Sequence, residues 1–515
     1  MKIITLRAAL LAALAGAAPT ALAQPQSTSA APDQATGLTI YSSALPGAIP
    51  PELYRPVPGQ GLRGYGAVPG YAVVRHDRRL DITGGDSTLR FADVAALLDP
   101  TTVSFTSLTN PDTSVVAQSY QFDLVSPDKL LEKYIDRELG VVVQRGDASE
   151  RITGTLLSAQ GGQLVLRDAS GTIRLLNGYQ GLDLPTLPGG LITRPTLLWD
   201  VRAAAPGPQT VRVAYQTEGI TWWADYNLTY TDGANANAGT VDVGAWVSIL
   251  NASGATYANA ALKLVAGDVH RAPKPDRPRY EMMESRAMAA DGSAGFQEKS
   301  FFEYHLYTLG RPATIPDNST QQLELFPLAQ DVPCSRILVF DGQGEVWSNP
   351  GSPNLEPSYG LAGPKNVQVY LRLDNTEAAG LGMPLPAGRV RVNRADEADG
   401  AMEFIGEDAI PHTPRDERVL IKMGNAFDVV GERRQVEFNV DSKRRTIDET
   451  IEVEVRNRKK EAVDVVVQER LFRWATWTLT TAPAHERPDQ GTVHFPLHLD
   501  PGATGTVRYT VRYTW

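Results

Sequence analysis

The chain is poor in the residues that usually anchor a chemical assignment. Cys334 is its one cysteine, and there are seven histidines. A lone cysteine forms no internal disulfide, so the chain must be stabilised by burial. A buried structural thiol is the ordinary role for Cys334. Past the N-terminus no stretch approaches about 18 uninterrupted apolar residues, which excludes a helical anchor in the mature protein. G-x-S-x-G, H-E-x-x-H and P-loop patterns are missing, so the common hydrolase and nucleotide-binding signatures are excluded. Basic blocks are scarce as well. Lys and Arg number 49 against 59 Asp and Glu, a net charge of −10. The one local cluster, Lys443-Arg444-Arg445, reads as a solvated turn. This balance argues against nucleic acid or anionic lipid as partners.

What is present begins with a leader. Lys2 and Arg7 precede an Ala/Leu-rich run, and Ala21-Leu22-Ala23 is an A-x-A cleavage site before Gln24. Residues 1–23 therefore read as a secretory signal peptide. Residues 24–70 are rich in Pro, Gly, Ser and Ala and read as a flexible arm.

From residue 71 the texture changes to short alternating runs broken by turn residues. Residues 71–199 form an N-terminal β-rich domain with one short helix expected over 126–139. Ser126 can cap that helix and Pro127 suits its first turn. The runs GVVVQRG, RITGTLLSA, GQLVLRD and GTIRLLN read as a small antiparallel unit. Residues 201–515 read as antiparallel β-sandwich material, interrupted by a mobile insertion over 271–300. In that insertion Met282, Met283 and Met288 are soft ligand types for Cu(I), without the M-x-x-M spacing of dedicated copper segments. Glu449–Asn457 and Ala462–Arg470, separated by a charged turn, make a plausible hairpin. The fold class expected is mainly β, with sandwich-type domains.

Histidine is the informative residue type. His305 alternates in EYHLY, His412 sits between Pro411 and Pro414, and His494 and His498 share VHFPLHL. Four residues along a strand separate the last two by about 13 Å, too far for one metal unless Pro496 bends the chain. Sandwich strands can nonetheless gather imidazoles from distant positions, and copper or zinc would suit them. His305, His412, His494 and His498 are the candidate metal ligands on this reading. Trp222, Trp223 and Trp246 make a weaker case for a carbohydrate shelf, since paired aromatics in strands are usually core.

Several blocks also carry a family likeness: GITWWADY (219–226), LKLVAGDV (262–269), FFEYHLYTLGRPATIPDNSTQQLELF (301–326), LPAGRVRV (385–392), FIGEDAIPHTPRDERVLIKMGNAFDVVGER (404–433) and ETIEVEVRNRKKEAVDVVV. Together they resemble bacterial proteins carrying domain of unknown function 4139, relatives of the mucoidy inhibitor A group, over residues 201–515. The chain lacks the long coiled-coil insertion of that group. Its layout looks most like the envelope members of Deinococcus-type bacteria, where related proteins accompany the surface layer. The resemblance implies an exported periplasmic or cell-surface protein whose partners are other envelope or surface-layer proteins, in a homo- or hetero-oligomer. It supplies no agreed catalytic residues. Two classes stay open: a structural and interaction module of the envelope, or a copper-dependent, superoxide dismutase-like oxidoreductase using the sandwich histidines.

Overall fold

The computed structural model describes residues 35–41, 49, 51–54, 68–121, 126–145, 148–186, 188, 194–235, 237–267, 269, 296–301, 304–346 and 351–515. The leader, most of the arm and residues 271–295, with Met282, Met283 and Met288, lie outside them.

Alternation sets the architecture. In Val463–Arg470, Val463, Val465 and Val467 are buried and the residues between them face outward, as the period of two of a strand requires. Repeated along the chain, this pattern gives a mainly β protein with four sheets among the described residues. The helix Pro127–Lys133 is capped by Ser126, which accepts from Lys129 N at 3.2 Å. It is shorter than expected. Tyr134 ends it, Asp136 takes a left-handed φ of 63°, and the strand Glu138–Arg145 follows. That strand opens a five-stranded antiparallel sheet over residues 138–183, closed on its own core of Leu139, Val141, Leu156 and Leu166. This is the small unit the alternating runs predicted.

The supposed arm contributes to the core. Ala35–Tyr41 is an inner strand of an eight-stranded sheet, antiparallel to Tyr71–Ile82 and parallel to Tyr257–Ala266. Leu38 and Ile40 are fully buried. The insertion also ends earlier than expected, because Phe296–Phe301 pairs with Tyr304–Leu309. Nor does the chain divide near residue 200. Thr196–Ala203 crosses that point while paired with Gly85–Ala92 and Ser114–Gln121. A single core contains Phe91, Trp199, Trp222, Tyr307 and Ile421.

The twelve-stranded sheet has two parts, joined by two long strands. Ser319–Phe340 pairs with Ala238–Asn251 and then Asn366–Asp374. Arg418–Asp441 pairs with Asn366–Asp374 and then Thr446–Asn457. In the first part the edge strand Met402–Ile410 returns against Arg418–Asp441. Lys422 N donates to Asp408 Oδ2 at 2.6 Å, and a Cβ on Gly406 would meet the Met423 carbonyl at 3.0 Å. The sheet thus rolls into an incomplete barrel. The second part closes over a separate core of Val453, Val465, Phe495 and Tyr509.

The expected hairpin of Glu449–Asn457 with Ala462–Arg470 does not form. Thr446–Asn457 pairs with Arg418–Asp441 and Thr504–Thr514, whereas Val463–Arg470 pairs with Thr492–Leu499 and Ser319–Phe340. The cause is at the strand end, where fully buried Asn457 donates Nδ2 to the carbonyls of Glu461, Leu499 and Asp500. Its Oδ1 accepts from Lys459 N at 2.9 Å. The same device recurs. Asn251 donates to Ala255, Ile315 and Pro316 carbonyls and accepts from Ser253 N. Asn375 donates to Met383 and Pro414 carbonyls and accepts from Gly382 N. Each asparagine satisfies loop carbonyls that burial would otherwise leave unpaired.

Candidate functional site

The four candidate histidines fall in three places. His305 lies in the eight-stranded sheet with Nδ1 2.7 Å from Glu298 Oε1, a carboxylate almost wholly buried. His412 is in the Pro-bounded turn, where Ala387 N donates to its Nδ1 at 3.0 Å. Thr413, next to it, exchanges backbone hydrogen bonds with Leu385. The turn is therefore fixed to the 383–387 segment. His494 and His498 share the strand Thr492–Leu499. His494 Nε2 lies 3.1 Å from Gln468 Oε1, and exposed His498 has Nδ1 2.6 Å from Asp464 Oδ1. That carboxylate raises the His498 pKa. Among the described residues, no three His, Cys, Asp or Glu side chains gather as a metal-ligand set. No copper or zinc chemistry is therefore derived from these four.

Of the three tryptophans, Trp223 and the exposed Trp246 share a face, since Trp246 is paired with Asp225, but Trp222 does not. Neighbours along a strand point to opposite sides. Trp222 is fully buried, its Nε1 donating to Val265 O at 3.3 Å, whereas Trp223 lies under Tyr54 with ring centroids 5.6 Å apart. Cys334 is buried, and burial pushes its thiol up to about 11.

The most concentrated chemistry lies where no motif pointed, under the segment following Ser319–Phe340. Arg433 and Glu469 form a pair with side chains 2% and 0% exposed and Nε–Oε1 3.0 Å. Burial opposes the Arg433 charge, but the Glu469 carboxylate outweighs it and the pKa is raised. Glu469 Oε2 also accepts from Tyr509 Oη at 2.6 Å and Gln343 Nε2 at 3.2 Å. Beside it, Arg473 grips Glu449 through Nε and Nη2, both at 2.9 Å. Arg473 also donates to the carbonyls of Asn354, Glu356 and Pro357, and its guanidinium lies 4.5 Å from the Phe438 ring centroid. Both carboxylates have their oxygens occupied by donors. The arrangement is suited to holding a loop against a sheet, not to moving protons.

At the surface, Phe427 is 95% and Phe404 61% exposed. Each follows from a break in pairing. The register jumps from Val367↔Ala426 to Asn366↔Val430, which leaves Phe427 on a bulge whose Val429 turns inward. Between Val392↔Gly406 and Asn393↔Phe404 the register shifts again and leaves Ile405 unpaired. Bulges re-aim side chains and disrupt pairing in this way.

The family model for the domain of unknown function DUF4139 matches residues 211–515. The chain belongs to this family. No curated protein and no solved structure matches it. The DUF4139 region contains the Arg–Glu network, the asparagine-tied strand ends and both exposed phenylalanines. Its strands also pair outside its own limits, since Gly207–Glu218 is hydrogen-bonded to Tyr71–Ile82. Parity could have revealed the network. Glu449 stands in register with Ile451 and Val453, and Glu469 with Val465 and Val467, all at inward positions.

Proposed function

We propose that the protein is an exported component of the cell envelope that acts as a structural and interaction module, binding other envelope or surface-layer proteins. The observation that carries this reading is two solvent-facing aromatics of the DUF4139 region, Phe427 on a bulge and Phe404 next to one. Large aromatics held outward on a rigid sheet are suited to anchoring a partner, which removes apolar surface from water. The buried Arg–Glu pairs and the asparagines make that sheet rigid. The leader sequence supports export, and the acidic balance supports protein over nucleic acid as partner.

Fractionation of the native cells tests the location. The expected result is an envelope-bound chain whose first residue is Gln24. A cytoplasmic chain retaining Met1 contradicts it. Metal content of the natively purified protein, with a superoxide dismutation assay, tests the redox alternative. Stoichiometric copper together with activity would overturn the purely structural reading.

A further inference from the structure

A second site lies inside the rolled part of the twelve-stranded sheet. A cavity of about 230 Å³ opens there. Tyr230, Arg336, Leu371, Arg394, Ile405 and Met423 line it, each from a different strand. It is the mouth of the incomplete barrel, a common place for small ligands. Two of its polar atoms, Arg336 Nε and Tyr230 Oη, are buried without a hydrogen-bond partner of ordinary geometry among the described residues, although burial and the nearby Asp232 carboxylate raise the Tyr230 pKa. Both are N–H or O–H donors, and an unmatched buried donor is costly. The nearby charges are already matched. Arg336 Nη2 lies 3.0 Å from Glu461 Oε1, and Arg394 pairs with Asp232 and Glu397. The rest of the wall is mostly apolar, from Val369, Leu371, Ile405 and Met423, with Gly424 and Asn425 beside them.

We infer that this cavity binds a small neutral molecule, mostly apolar, that presents one acceptor oxygen to Tyr230 Oη and Arg336 Nε. Its carbonyl or ether oxygen accepts from Arg336 Nε and draws Tyr230 Oη from Asp232, and its hydrocarbon part lies on Leu371, Ile405 and Met423. A carboxylate is disfavoured because no guanidinium charge is left over for it.

Saturation-transfer NMR on the mature chain tests this with acetophenone, ethylbenzene and benzoate. Acetophenone is expected to bind, ethylbenzene about fivefold more weakly for want of the acceptor, and benzoate more weakly than either. Tyr230→Phe is expected to narrow the gap between ketone and hydrocarbon. Met423→Trp is expected to abolish binding while the far-UV circular dichroism stays unchanged. If Met423→Trp alters the dichroism, the Tyr230→Phe comparison alone decides. Equal binding of ketone and hydrocarbon, tighter binding of benzoate, an unchanged gap in Tyr230→Phe, or no binding of acetophenone at its solubility limit would each overturn the inference.

Discussion

At His76 the fold sets a protonation state. The ring is 5% exposed, with Nε2 3.2 Å from Tyr215 Oη and Nδ1 3.3 Å from Thr36 Oγ1. Burial, helped by Arg78 and opposed by Asp77 and Asp93, lowers its pKa from 6.5 to about 3. Below pH 6.5 the unfolded chain takes up a proton there that the folded chain refuses until about pH 3. Stability from this group is therefore complete above pH 6.5 and falls by about 1.4 kcal/mol per unit as the pH drops through that window. Urea midpoints of the wild type and His76→Gln should converge on acidification, and parallel curves would contradict the assignment. The buried charges give a second expectation. Glu469→Ala strands Arg433 in the core and should cost about 3–5 kcal/mol. Asp448→Ala, which removes an exposed partner of Arg512, should cost no more than about 1 kcal/mol. Equal losses in denaturant titrations would show that burial is not what distinguishes the pairs. These residues were only partly legible. His305, His412, His494 and His498 drew attention by rarity, but rarity holds no information about which strands meet. Glu449 and Glu469 were visible as charges at inward positions, a signal hidden by the abundance of carboxylates around them.

At the scale of elements, alternation made most strands legible, including the small sheet of residues 138–183. What it could not give was partnership. Asn457 diverts the chain at a point where a short charged turn resembles a hairpin, and Asn251 and Asn375 make similar diversions. Replacing Asn251, Asn375 or Asn457 by Ala leaves buried carbonyls unpaired and should cost about 1–3 kcal/mol each, read as lowered urea midpoints. Losses below a few tenths of a kcal/mol would mean that water replaces the amide, making these strand ends far less constrained. The strand Ala35–Tyr41 escaped notice for a different reason. Its LTIY core is brief and set in Pro- and Gly-rich sequence, so composition averaged over the arm concealed it. It lies between Tyr71–Ile82 and Tyr257–Ala266. Deleting residues 24–69 should therefore yield an insoluble or unfolded product. A soluble product with a native circular dichroism spectrum would show that the strand is dispensable.

At the scale of the whole molecule, and among the described residues, the family region and the strands before it are one hydrogen-bonded and packed structure, apart from the 138–183 sheet with its own core. Among the described residues no helix is long and apolar enough to cross a membrane, which leaves the question of strands crossing one untouched. A continuous sheet with two cores, charged pairs buried beneath a loop and aromatics projected at bulges suits the interaction role proposed above. The central claim is that this contact is with other envelope proteins through Phe404 and Phe427. Its most direct measurement is the native size of the protein in detergent extracts of its own cells, for the wild type and for Phe404→Ser/Phe427→Ser. The account predicts a complex larger than the monomer for the wild type. The double variant should be monomeric, with an unchanged thermal midpoint because both side chains are exposed. A wild-type monomer, or a complex that survives both substitutions, would contradict it.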